Sequence, residues 1–166
     1  KMNIRKSFKS LINWGNNTLQ VDIIDSSNLD KIKFNSFRDF HVKVSGRKTR
    51  SDRTWELQYE GIRNNEAYLT LGNLNGVLVS GAYIAHGTGI AYYGVAVNDR
   101  ELMAENLPIG HSILYNSIIL AKKKGLNKFI VGDYNFTEDA KINAITKYKK
   151  GFVNSMSLKP KYLIEL

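Results

Sequence analysis

At 166 residues the chain is long enough for one domain with a hydrophobic core, since a domain of this size buries roughly 68–70% of the surface its unfolded chain exposes. Apolar content of 43% and charged content of 23% argue against a disordered or fibrous class, and the absence of cysteine rules out disulfide scaffolds, thiolate metal sites and cysteine nucleophiles. Lys and Arg outnumber Asp and Glu by 24 to 15, a net charge of +9, which steers the chain toward anionic partners: nucleic acid, headgroups, nucleotide cofactors or nucleotide-linked sugars.

In chain order, residues 1–13 place Ile4, Phe8, Leu11 and Ile12 at a helical period among basic residues, and Trp14-Gly15-Asn16-Asn17 is expected to end that helix. Residues 18–25 alternate Leu19, Val21 and Ile23 with polar neighbours, which is strand spacing. Ser26 or Ser27 can cap the next helix, which carries Leu29, Ile32, Phe37, Phe40 and Val44 and stops at Gly46. Asp52 can cap a further helix with Trp55, Leu57, Tyr59 and Ile62, ended by Asn64-Asn65.

From Glu66 the period drops to two. Strands are expected over 67–72 and 77–85, joined by Asn75-Gly76, and over 90–97 after the turn at His86–Gly89, giving an antiparallel meander. After the polar segment 98–106 come a helix over 109–124 closed by Gly125, a strand over 128–131, a helix over 137–150, and short strands near 152–157 and 162–166. The fold class is therefore α+β, a mixed and mostly antiparallel sheet flanked by helices, with a right-handed crossover after the meander. The apolar runs fall short of the roughly 18–20 residues that span a bilayer, and no signal-peptide pattern opens the sequence, so a cytoplasmic protein is expected.

The stretch Pro108–Ser112 carries the clearest chemistry. Backbone N–H groups at a helix start can hold a phosphate; Gly110 permits close approach, and His111 and Ser112 add polar groups. An ordinary proline-assisted helix start is the reading these residues favour on their own, since a single glycine is a poor fingerprint. Lys122, Lys123 and Lys124 suit a helix C-terminus. Asp133 past a strand end and Tyr93 on the meander are candidate acid–base groups, set against a turn former and a core tyrosine. Trp14, Trp55, Tyr92 and Phe152 can stack on bases or pack in the core. His41 and His86 have no second ligand at metal spacing, so no metal site is expected.

The order meander, strand, loop, helix, strand, helix and Gly-Phe resembles the GNAT acyltransferases, and within them the FemAB-like branch, including its BioF2-like acetyltransferases. Tyr148-Lys149-Lys150-Gly151-Phe152 resembles the Phe-Lys-x-Gly-Phe-Gly element of that branch, with Val153 in place of the last glycine. Tyr148 stands three residues before Gly151, where common GNAT enzymes have a tyrosine four before the glycine; the spacing removes the expected tyrosine acid. Ala91-Tyr92-Tyr93-Gly94 resembles the branch's aromatic strand, residues 107–114 its replacement for the glycine-rich pyrophosphate loop, and residues 37–50 with Trp55 its helix, histidine and basic turn.

The resemblance implies N-acyl transfer from acyl-CoA, or from aminoacyl-tRNA, to an amine. It implies donor contacts at Val95, Val97, Pro108, Ile109, Gly110, His111 and Ser112, and a role for Lys149 at the reacting carbonyl beside Tyr93 and Asp133. It also implies that residues 1–166 are one GNAT-like domain, with 1–26 as lead-in, matching the second half of a two-half protein or pairing as a homodimer. The alternative is a non-catalytic basic module that binds tRNA or a partner domain.

Overall fold

The computed structural model describes residues 4–135 and 137–157. Its elements run α1 (Phe8–Thr18), β1 (Gln20–Ile24), α2 (Lys31–Ser45), α3 (Asp52–Arg63), β2 (Ala67–Leu74), β3 (Val77–His86), β4 (Ile90–Asn98), α4 (Arg100–Ala104), α5 (Ile109–Lys123), β5 (Lys128–Ile130) and α6 (Ala140–Lys150). The sheet has the order β1-β2-β3-β4-β5. The first four strands pair antiparallel, and β5 joins β4 in parallel through the α5 crossover. This is the α+β architecture that the periodicities predict.

Strand alternation divides the core. Leu69 and Leu71 of β2 point to one face, where Phe34, Phe37 and Phe40 of α2 and Trp55 and Ile62 of α3 cover them. Tyr68 points to the other face, against Ile113 and Ala121 of α5. Its hydroxyl donates to the Ser117 carbonyl at 2.6 Å, and the Ser117 hydroxyl donates to Thr70 Oγ1 at 3.0 Å, so the buried polar groups under α5 satisfy one another. A partly buried ion pair ties the lower end together: Lys124 Nζ lies 3.3 Å from Asp25 Oδ2 and 3.2 Å from Asn65 Oδ1. Burial acts to raise the Asp25 pKa, but hydrogen bonds from Ser27 and the Lys124 ammonium outweigh it and hold it below the usual carboxylate range. Lys124 is thus a cross-link between elements as well as a cation at a helix end.

Several boundaries differ from expectation for identifiable reasons. Asp30, not Ser26 or Ser27, caps α2 by accepting from Lys33 N–H at 2.9 Å; Ser27 is occupied in a turn with Asp25. Ser51, not Asp52, caps α3. Asp139 caps α6, which therefore starts at Ala140 rather than at 137. The polar segment after β4 contains α4, capped by Asp99. Residues 152–157 form no strand, and the strand expected at 162–166 lies outside the described residues.

The first helix does not stop at Gly15; it begins at Phe8 and runs to Thr18. Gly15 is instead a contact point, because a Cβ built there would lie 2.2 Å from Ser112 Oγ and 2.6 Å from Ser112 Cβ on α5. Close approach of α1 to α5 accounts for the glycine that local propensity reads as a terminator.

Replacing Gly15 with alanine should therefore destabilise the fold by about 1–3 kcal/mol, the usual cost of overpacking, although Ala is the better helix former. In urea denaturation Gly15→Ala should unfold earlier than the wild type, and Gly15→Ala combined with Ser112→Gly should regain most of the loss. A stabilised single variant would contradict the contact.

Candidate active site

Strand directions place the site. β1 and β3 run one way, β2, β4 and β5 the other. The α2–α3 turn, the carboxyl ends of β4 and β5, and the start of α5 therefore gather at one end of the sheet, where open sheets hold ligands.

β5 pairs with β4 at only three positions, Ile90↔Lys128, Ala91↔Phe129 and Tyr92↔Ile130. Beyond them both strands turn away. β4 has a bulge: Ile84 pairs with Tyr93 and Tyr83 with Val95, leaving Gly94 as the extra residue. On the other side Gly132, at φ +98°, takes the chain after Val131 off in a conformation that favours glycine. From Tyr93 to Asn98, β4 keeps its partner β3 while its other edge has no strand partner among the described residues. Such an edge offers N–H and C=O groups to an extended amide-bearing ligand.

The start of α5 is fixed beside this edge. The Asn98 side chain accepts from Ser80 Oγ at 2.6 Å and lies 3.1 Å from the position a Gly110 Cβ would take. Gly110 thus lets the first turn of α5 sit against the end of β4. The Tyr148 hydroxyl, reaching from the last turn of α6, donates to the Gly110 carbonyl at 2.8 Å. Around it His111, Phe8, Tyr148 and Phe152 form an aromatic cluster, with His111 edge-on to Phe8 at 4.7 Å and to Tyr148 at 5.0 Å. Phe8 in turn lies directly on Gly151, where a Cβ would come within 2.0 Å of its ring, and Arg5 N–H donates to the Gly151 carbonyl at 2.9 Å.

Electrostatics favour neutral groups here. Burial pushes the Tyr148 phenol well above its usual range, and the nearby Tyr93 pushes it the same way; burial raises Tyr93 likewise. Both hydroxyls hold their protons at neutral pH and can act as acids, not bases. Burial lowers the His111 pKa, with the Pro108 carbonyl acting in the opposite sense, so the imidazole is neutral within its aromatic cluster.

The residues singled out in the sequence fall into separate groups. Tyr93 stands beside the bulge, half-buried between the α5 core and the cluster around Phe8. Lys149 is half-buried, its Nζ 2.9 Å from where a Gly132 Cβ would stand, so the ammonium covers the backbone where β5 departs. Asp133 follows on the surface. Val95 and Val97 bury their side chains against α2, and as the ladder partners of Tyr83 and Gly81 they turn their backbone groups to β3, so the groups facing the open edge are those of Tyr93, Ala96 and Asn98 rather than the expected Val95 and Val97. Pro108 and Ile109 open α5, with Ile109 fully buried. The Ser112 hydroxyl is buried against Gly15 and has no hydrogen-bond partner among the described residues, so its side chain faces α1, not the β4 edge. Of the four stacking candidates Trp55 and Phe152 are core residues and Trp14 is half-buried; Tyr92 is exposed. Among the described residues no cluster of three or more metal-ligating side chains occurs, and no helix is long and apolar enough to cross a membrane.

Two features escape the sequence reading. Tyr148 reaches the site although its spacing from Gly151 set it aside as an acid, and its position inside Tyr-Lys-Lys-Gly-Phe was the available signal. Gly94 carries no local mark of a bulge beyond being a glycine in a strand.

No protein-family model matches the sequence, and no curated protein does. Solved structures do match. An aminoglycoside acetyltransferase from an uncultured soil metagenomic sample is 15% identical at a TM-score of 0.64, over 90% of this chain and 97% of its own. A ribosomal-protein-alanine N-acetyltransferase from Brucella melitensis biovar Abortus 2308 is 10% identical at 0.57, over 89% and 99%. An aminoglycoside N-acetyltransferase, AAC(6')-Iy, in complex with CoA is 10% identical at 0.58, over 87% and 95%. At these identities the likeness establishes the fold: the chain has the fold of the GNAT acetyltransferases.

All three histidines, His41, His86 and His111, have pKa values lowered chiefly by burial. A histidine whose folded pKa lies below its unfolded value of about 6.5 is taken up by protons first in the unfolded chain, so stability is complete above that pH and falls as pH drops through it. Unfolding free energy should thus decline below about pH 6.5, and His41→Gln should remove up to one proton from the slope. Equal stability across that window would show that the histidines titrate freely in the folded chain.

Proposed function

We propose that the protein is an N-acyltransferase that moves an acyl group from acyl-CoA to an amine. The observation that carries this reading is the open inner edge of β4, which leads directly to the first turn of α5. A donor with a pyrophosphate at one end and an amide-linked arm at the other matches both parts. The phosphates would meet the partial positive charge at the start of α5, Pro108–Ser112, and the Gly110 N–H, those of Ile109 and His111 being engaged by the Leu107 and Pro108 carbonyls. The amides would pair with the backbone groups that β4 turns to its open edge at Tyr93 and Ala96, on either side of Val95. Fold neighbours include one in complex with CoA.

The donor's thioester then lies toward Tyr93 and Tyr148. The acceptor nitrogen attacks the thioester carbon, the C–N bond forms, the C–S bond breaks, and a tyrosine hydroxyl returns a proton to the departing sulfur. We assign that role to Tyr148, with Tyr93 beside it. The Lys149 ammonium at the departing end of β5 would offset negative charge on the carbonyl oxygen. Asp133, a surface carboxylate next to Gly132, would receive the proton lost by the amine, directly or through water. A CoA-dependent reaction also suits the cytoplasmic location expected from the sequence.

The finer placement in the FemAB-like branch rests on Tyr148-Lys149-Lys150-Gly151-Phe152, and with it come aminoacyl-tRNA as a donor and a second GNAT-like half as a partner. The geometry favours acyl-CoA, because most of the aromatic side chains suited to stacking on nucleotides are packed inward.

Calorimetric titration should show acetyl-CoA binding, weakened about tenfold by Gly110→Asp, since a carboxylate at the phosphate-facing helix start meets like charge. Retention of tRNA without acetyl-CoA binding, falling steeply with salt, would replace this reading with the non-catalytic one. Where transfer to a test amine is measured, Tyr148→Phe should lower kcat by roughly a hundredfold and leave the Kd for acetyl-CoA near that of the wild type. An unchanged kcat would remove Tyr148 from the chemistry.

A further inference from the structure

The α2–α3 turn holds an arginine that is positioned without being neutralised. α2 closes at Gly46, φ +69°, and the chain then presents Arg47, Lys48 and Arg50, with Arg53 in the first turn of α3. Lys48 pairs with Asp52 at 2.7 Å and Arg53 with Glu56 at 3.5 Å. Arg50 has no carboxylate partner among the described residues.

Its partners are uncharged. Arg50 Nη1 donates to His41 Nε2 at 3.1 Å and to Thr49 Oγ1 at 3.3 Å, and the guanidinium carbon lies 5.7 Å from the centre of the Trp55 ring. His41 is buried and stands edge-on to Trp55 at 5.4 Å. For Nε2 to accept, the imidazole must be neutral with its proton on Nδ1, which lies 3.3 Å from Ser45 Oγ. An imidazole and an indole therefore orient a full positive charge that remains available to a ligand. Arginine carries five N–H donors in a fixed fork, and those not engaged by His41 and Thr49 are free for an oxyanion. The same cluster contains the buried Trp55 Nε1–H, which has no acceptor among the described residues, and α3, capped by the Ser51 side chain, begins two residues after Arg50 with its positive end.

Position gives this group a use. The turn stands at the same end of the sheet as the carboxyl ends of β4 and β5, on the face covered by α2 and α3. A donor held at the start of α5 occupies the opposite face, so an acceptor must approach the gap between β4 and β5 from the side of the α2–α3 turn. We propose that Arg50 is an oxyanion-binding residue of the acceptor site, and that the acceptor amine is carried on a molecule bearing a carboxylate or a phosphate. A polycationic acceptor such as an aminoglycoside meets the wrong sign of charge at this rim. Assignment of the anion to an acceptor rests on the acyltransferase reading; the anion site itself does not.

Trp55 reports on the site, and a Trp14→Phe background leaves it as the one indole in the chain. Its emission should be followed at constant ionic strength while 4-aminobutyrate or 1-butylamine is added, and separately glucosamine 6-phosphate or glucosamine. A saturable change with the anionic member of either pair and none with its uncharged-tail counterpart is expected, and the pair that responds identifies carboxylate or phosphate. Arg50→Gln should weaken the response at least roughly tenfold, as expected for loss of a charge-assisted hydrogen bond. Arg50→Lys, which keeps the charge and loses the fork, should lie between, and Arg47→Gln should respond as the background does. No response to either anion, an equal response to both members of a pair, or an undiminished response in both Arg50 variants would overturn the proposal. Titrating acetyl-CoA into the same samples separates the two readings. Donor binding without an anion response refutes the Arg50 site alone, and an anion response without donor binding refutes the acyltransferase reading and leaves the site standing.

Discussion

The parallel pairing of β4 with β5 lasts for three residue pairs and then stops, and the chemistry proposed for this protein depends on that interruption. Had the ladder continued, the edge of β4 beyond Tyr92 would have been satisfied by β5 and the sheet would have no internal opening. Two glycines prevent it from different sides. Gly94 is the unpaired residue of the bulge, which adds twist to β4 and changes which residues face α2. Gly132 takes the left-handed conformation in which a side chain is disfavoured. Each leaves backbone groups without strand partners, a cost that a sheet bears only where the edge meets water or a ligand.

What surrounds the opening is rigid because it is crowded. The start of α5 is fixed from the strand side by Asn98 against Gly110, and from the helix side by Tyr148 on the Gly110 carbonyl. The first helix adds a third restraint, with Gly15 seated on Ser112 and Phe8 on Gly151. All four of these contacts are made at glycines, Gly15, Gly110 and Gly151, so the backbone on one side of each sets the distance. A ligand site built this way is organised before anything binds, which lowers the entropy lost on association.

The sequence carried the architecture well and the site unevenly. Periodicity distinguished the longer helices from the strands because one face of each is buried, Leu69 and Leu71 against α2 and Phe34 and Phe37 against the sheet, but it missed the short α4 and placed a strand at 152–157 where none forms. The Asn75-Gly76 hairpin and the Gly46 and Gly125 stops were legible because those residues answer a local demand for positive φ. Gly15 and Gly151 were not, since their cause is a neighbour remote in sequence, Ser112 in one case and Phe8 in the other. Helix caps moved for a similar reason. Asp30 and Ser51 serve where Ser26, Ser27 and Asp52 were expected, because several side chains in each stretch can cap and tertiary packing chooses among them. Residues 108–112 are legible as a helix start, but the direction of the Ser112 hydroxyl depends on α1 and could not be read from them.

Tyr148 shows why spacing within a motif is an incomplete guide to a side chain's position. A shift of one residue along a helix turns a side chain by about 100°, so a tyrosine three residues before a glycine cannot coincide with one four before it if the two helices are superimposed on that glycine. Spacing alone also leaves out what holds Gly151 in place. Phe8 lies against it and the Arg5 N–H holds its carbonyl, so the end of α6 is set by the N-terminal segment, and the rotation of the helix follows. In that setting the Tyr148 hydroxyl arrives at the Gly110 carbonyl, beside Tyr93. Register alone therefore neither removes the tyrosine from the chemistry nor assigns the chain to one branch of the fold.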